Sequence, residues 1–282
     1  MNTHEFRAMN TDWWVRADGN VDVAATEQVV RRIEEQLSRF RPDSALSRLN
    51  REREVEDEAV ATVLRRALVM RDLTRGAFDP TVGAPLIAAG YARSFEELGE
   101  VGSPSCASPG RPHATVEGTH VRLDGPGSVD LGGIAKGWTV DRVARLLEDL
   151  GARSYVVDGG GDLRAKGTDS TGQPWPLGVA DSHAVRVEGG AVCTSSRRKR
   201  RWQTASGWAH HIIDPSTDRP AAGDVHEAVV IAADAATADA LATALIAAPA
   251  RGLEAVARIG ASAMVCRDDG WSMTSSMERY LQ

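Results

Sequence analysis

Apolar positions recur at three- and four-residue steps through Val29, Val30, Ile33, Leu37 and Phe40, with charges between them, so residues 21–40 are predicted to be a helix. The same period through Val60, Val63, Leu64, Ala67 and Leu68 predicts a second helix over 58–73. Residues 38–50 between them read as a polar link in which Pro42 breaks any helix. A third helix is predicted over 134–150, stopped by Gly151, an Ala-rich one over 236–247 and another over 253–259. Short apolar runs at 154–157, 228–233 and 263–266 predict strands, as does the alternation within 176–213. Gly118 between two alternating runs suggests a hairpin.

These elements follow no regular βαβ rhythm, which favours an α+β fold over a doubly wound sheet. Residues 99–128 are rich in Gly, Pro and Ser. They are the best candidate for a boundary between two lobes, should the single domain expected over 1–282 be divided. The chain has 282 residues, 42% of them hydrophobic and 26% charged, ordinary values for a globular protein. A net charge of −6 argues against nucleic-acid or anionic-membrane coating, so phosphate binding must be local. Cys106, Cys193 and Cys266 stand far apart without a CxxC pair, which argues against a zinc site or a disulfide framework. The N-terminal stretch has no basic segment followed by an apolar run, and no run of eighteen apolar residues exists. The expectation is a cytoplasmic protein without a membrane span.

Several fragments carry chemistry. Asp239 and Thr243, four apart on a predicted helix, share a face and offer two hard oxygen ligands suited to Mg²⁺. Spacing alone favours instead a surface Asp and a Thr bonded to its own helix. Glycines ahead of a helix in Asp130-Leu131-Gly132-Gly133-Ile134-Ala135-Lys136-Gly137 permit close backbone approach to an anion. That stretch matches neither common nucleotide motif, and a tight turn with a solvated lysine explains it as well. Asp158-Gly159-Gly160-Gly161-Asp162 is a sharp turn or a ligand approach. In His210-His211-Ile212-Ile213-Asp214-Pro215 only one of two adjacent strand histidines can face a site. Ala77-Phe78-Asp79 is a helix-ending turn or a pocket wall. Arg197–Arg201, a run of five basic residues, is a solvated loop or a contact for phosphate or an acidic partner.

The order of these pieces resembles the ApbE family of FAD:protein FMN transferases. The matching stretches are AMNTDWW, SRFRPDSALSRLN, GAFDPTVGAPL, VDLGGIAKGWTVDRV, VVDGGGDLRAKG, AVCTSS, HHIIDPSTDRP and ADALATAL, from residue 8 to about 245. The resemblance implies a central sheet, mixed or antiparallel, in layers with flanking helices. It implies Mg²⁺ on Asp239, Thr243 and the Gly133 carbonyl, with FAD, a substrate here, contacted by Met9, Ala77, Phe78, Asp79, Asp130 and Lys136. His211 would be the base and Ile213 would line the flavin pocket. The partner would be a separate acceptor flavoprotein with a Thr/Ser flavinylation motif. Ser196, Asp218 and Asn10 depart from family glycines. Asn and Asp tolerate positive φ better than most residues, which makes two of these departures mild. The rivals are an FAD pyrophosphatase giving FMN and AMP, a non-catalytic flavin-binding protein, and a basic-loop module acting through residues 197–201.

Overall fold

Strands buried on both faces leave short, unbroken apolar runs, and the core of this fold is built from such strands. The computed structural model describes residues 1–98, 110–180, 183–204 and 207–281. Eight strands form one sheet in chain order: β1 (Asn2–Ala8), β2 (Thr11–Ala17), β3 (Tyr155–Gly159), β4 (Asp162–Lys166), β5 (Gly189–Ser196), β6 (Glu227–Ala232), β7 (Ser262–Arg267) and β8 (Gly270–Met273). Every neighbouring pair is antiparallel, so of the two sheet types expected the antiparallel one is realised.

Period-two alternation sorts the strand residues between two layers. Val157, Cys193, Ala228, Val230 and Val265 face the helical layer. Val156, Val192, Val229, Ile231 and Met264 face the opposite side, which the Trp175–Val179 and His183–Val187 hairpin covers.

The helices are α1 (Ala25–Leu37), α2 (Ala45–Glu52), α3 (Glu58–Leu73), α4 (Gly83–Ala88), α5 (Ala135–Asp149), α6 (Ala235–Ala247) and α7 (Pro249–Ile259). In α6 every residue but Thr243 is buried, because the helix lies on β5 and β6 with α5 and α7 at its sides. Small alanines allow that close approach, and Asp234 caps its start by accepting the Thr237 N–H. A helix buried all round has no solvated face, so the one carboxylate within its span, Asp239, needs a reason to be there.

Two local predictions need correction. The 38–50 link contains α2: Pro42 lies before the helix, and Ser44 caps it by accepting the Ser47 N–H. No element was predicted before residue 21, yet β1 and β2 pair there as a hairpin. Its turn residues Met9 and Asn10 take φ of 52° and 56°, the two left-handed positions of a tight two-residue turn. The Gly118 hairpin is present, pairing His113–Glu117 with His120–Asp124, and Glu54–Glu56 adds a third strand. Cys106 and residues 99–109 of the predicted boundary lie outside the described residues. Among the described residues no helix is long and apolar enough to cross a membrane.

Candidate active site

The end of β5, the start of α5 and one face of α6 converge on an open cleft. Ala77, Phe78, Asp79, Asp130, Gly133, Lys136, His211, Ile213, Asp239 and Thr243 all line it. Met9 lines an adjoining hollow that shares Asn10, Arg39, Tyr91, Asp130 and Lys136 with the cleft. Ten of the residues singled out from sequence, from Ala77 to Thr243, therefore surround one space, and Met9 borders it.

The floor is rich in oxygen. Asp239 is 4% exposed, accepts the Gly137 N–H at 3.1 Å, and has no cation in ion-pair contact among the described residues. Burial pushes its carboxyl pKa up, opposed by the charge of Lys136. One turn on, the Thr243 hydroxyl sits 3.4 Å from that of Ser195. A Cβ on Gly133 would stand 3.0 Å from the Thr243 hydroxyl, so the glycine lets this backbone lie close to Thr243 without a tight contact. The donor set is one carboxylate, two hydroxyls and backbone carbonyls, all hard oxygens. Among the described residues no three His, Cys, Asp or Glu side chains gather as a metal cluster. A small hard cation that retains water and takes phosphate oxygens fits these residues; a thiolate- or imidazole-seeking metal does not.

Lys136 stands on the first turn of α5, and its ammonium contacts the carboxylate of Asp162, which is 1% exposed. Burial pushes the lysine pKa down, and the charge of Asp239 pulls it back up. The second Asp162 oxygen has no hydrogen-bond partner among the described residues. Asp130 is engaged by Arg39 at 2.6 Å and by the Gly132 N–H at 2.8 Å. Asp79 accepts from Thr81 and pairs with Arg111 at 3.1 Å, and Arg111 in turn binds Asp218. That chain of contacts ties the wall after α3 to the turn after Ile213. Tyr91 lies outside every stretch singled out in the sequence, while Arg39, Asp162, Ser195 and Arg200 lie within such stretches but are given no individual role there.

Of the two histidines, His211 lines the cleft, while His210 Nε2 faces the Ala221 carbonyl at 3.0 Å. His211 Nδ1 lies 3.2 Å from the Arg200 carbonyl. Nδ1 must carry the proton to donate there, which leaves the Nε2 lone pair free. Burial, aided by the positive charge of Arg200, lowers its pKa to about 3. Between pH 6.5 and about 3 the unfolded chain takes up a proton that folded His211 refuses, so stability falls as pH falls through that window. Allowing for its partial exposure, the loss is roughly 1 kcal/mol per pH unit. Urea unfolding at pH 7 and pH 5 should show His211→Gln losing less stability than the wild type; equal losses would reject the assignment.

Two of the three departures from family glycines fall at left-handed backbone, Asn10 with φ 56° and Asp218 with φ 58°. Asn and Asp are the non-glycine residues that best tolerate it. Ser196 lies buried at the end of β5.

A family model described as the ApbE family matches residues 9–265. An FAD:protein FMN transferase of Vibrio cholerae is 34% identical over 251 residues, 82% of this chain and 74% of the relative. One from Escherichia coli K12 is 28% identical over 305 residues, 97% of this chain and 86% of the relative. The crystal structure of the ApbE protein of Thermotoga maritima superposes with a TM-score of 0.89 at 27% identity, covering 100% of this chain and 99% of that one. The flavin transferase ApbE from Vibrio cholerae superposes with a TM-score of 0.79, also at 27% identity, covering 99% of each chain.

Proposed function

This chain belongs to the ApbE family, and from that premise we propose that it transfers the FMN half of FAD to a Thr or Ser hydroxyl of an acceptor protein, releasing AMP. The observation that carries the reading is the convergence of Asp239, Thr243, Lys136 and His211 on one cleft.

A pyrophosphate repels an attacking oxygen, so the site must supply positive charge. Asp239, Thr243 and the Gly133 carbonyl would hold Mg²⁺. When bound, the ion supplies charge neutralisation and Lewis acidity at the phosphates. His211 Nε2 takes the proton of the acceptor hydroxyl as its oxygen bonds to the phosphorus of the FMN phosphate. The bond from that phosphorus to the bridging oxygen breaks, and AMP departs with that oxygen. Lys136, held by Asp162, offsets the charge that develops on the leaving phosphate. Phe78 and Ile213 offer apolar walls for a flavin ring. Whether a protein hydroxyl or water reaches phosphorus decides between transfer and hydrolysis.

The test is incubation with FAD, Mg²⁺ and an acceptor domain bearing a flavinylation motif, read by intact mass and AMP release. An acceptor heavier by one FMN moiety, abolished by EDTA, is the expected result. FMN and AMP released with the acceptor unmodified would replace the transferase reading by hydrolysis.

A further inference from the structure

At the cleft mouth, the run Arg197–Arg201 enters a hairpin of Arg201–Thr204 and Gly207–His210, which leads back to His211. The hairpin has two unlike faces. Trp202, Thr204 and Ala209 are buried, and Trp202 stacks on Tyr91 at 5.3 Å while its indole N–H donates to the Ala89 carbonyl at 3.0 Å. That side is anchored to the body of the protein. The outer side presents Arg201, Gln203 and Trp208, all exposed. Trp208 is 64% exposed, more than any other large hydrophobic side chain among the described residues. The Arg201 guanidinium lies 4.7 Å from its ring centre and orients both groups. Arg198 and Arg201 have no carboxylate in ion-pair contact among the described residues, in a chain whose net charge is −6.

We infer that this outer face docks the acceptor protein through an acidic segment beside the hydroxyl to be modified. The inference rests on the transferase reading above. FAD enters the cleft, but a folded acceptor stays outside and must rest on its rim. The hairpin is rim: Arg200 and His211, at its two roots, line the cleft. Unpaired arginines attract carboxylates and repel basic segments, which gives choice of partner as well as encounter rate. An exposed tryptophan beside arginine is the pairing that protein interfaces use as an anchor. Trp208 lies three residues from His211, roughly 10 Å along an extended chain. An acceptor seated on Trp208 therefore presents a hydroxyl about three extended residues away to the imidazole.

The test uses the full chain with FAD and Mg²⁺ and a fluorescein-labelled peptide of about fifteen residues. The peptide carries one threonine flanked by aspartates, and a second peptide has lysines in their place. Anisotropy at 50 and 300 mM NaCl should show the aspartate peptide bound, the lysine peptide unbound, and binding weakened by salt. Arg198→Glu with Arg201→Glu, and separately Trp208→Ser, should raise its Kd by about tenfold or more while leaving the Kd for FAD unchanged. No binding of the aspartate peptide to the wild type, or equal Kd in the variants, overturns the proposal. So does preference for duplex DNA or anionic vesicles over the peptide, or a self-association that Trp208→Ser abolishes without changing peptide binding. Peptide binding that persists in a protein unable to release AMP from FAD would instead sink the transferase reading and leave the docking face standing.

Discussion

Asp239→Asn should abolish Mg²⁺-dependent AMP release while making the metal-free protein more stable. The two effects have one cause. Asp239 sits in a helix buried all round, with a single hydrogen bond from Gly137 and burial pressing its pKa up. A buried charge without a contacting counter-ion costs stability, and asparagine removes the charge while keeping an oxygen to accept the Gly137 N–H. Lys136 is not stranded by the change, because Asp162 still contacts it. Melting of the apo protein should rise by ~2–4 °C, corresponding to about 1 kcal/mol. Turnover should fall by at least about 10²-fold, since even residues that only support a ligand cost 10–100-fold when removed. Added Mg²⁺ should raise the wild-type melting temperature by mass action and leave the variant unmoved. A destabilised variant that still responds to Mg²⁺ would mean that Asp239 is a structural group and that the cation binds elsewhere.

How far such a site can be read from sequence depends on where each residue's partners lie. The pattern at 58–73 matches α3 to the residue, because sixteen positions of helical period and an Asp cap suffice locally. Helix α2 is hidden because eight residues give little more than two turns, and its three buried positions, Ala45, Leu46 and Leu49, lie among polar neighbours. The β1–β2 hairpin is hidden because its tight turn is made by Met9 and Asn10 rather than by a glycine pair. The same contrast holds in the cleft. Asp239 and Thr243 can be paired because one helix carries both. Lys136 and Asp162 come from a helix and a strand 26 residues apart, and nothing in the local period joins them. Arg200 and Tyr91 enter from loops, where spacing carries no geometric meaning. Asp162 falls within the matching stretch VVDGGGDLRAKG, yet the resemblance gives it no role, because its contact is with another side chain, Lys136.

Gly137→Ala tests whether the crossing of α5 and α6 is what brings the two sides of the floor together. On α5 an alanine is intrinsically favoured over glycine by about 1 kcal/mol, so propensity alone predicts stabilisation. The geometry predicts the reverse. A Cβ on Gly137 would lie 2.2 Å from the Ala235 carbonyl oxygen, 2.6 Å from its carbon and 2.9 Å from the Asp239 Cβ. Two of these three obstacles are backbone, so no rotamer change relieves them, and the start of α5 must move away from α6. That motion stretches the Gly137 N–H contact to Asp239 and carries Lys136, the preceding residue, off Asp162. Overpacking of this kind costs about 3 kcal/mol, or roughly 6 °C in Tm for a chain of this size. FAD affinity should weaken in parallel, because the displaced groups line the cleft. Gly178→Ala is the control: its Cβ meets nothing within 4 Å, and it should melt close to the wild type. If Gly137→Ala instead melted with the wild type and bound FAD normally, the helices would have closed around the methyl group. The contact between α5 and Asp239 would then not depend on glycine, and the buried carboxylate would need another support.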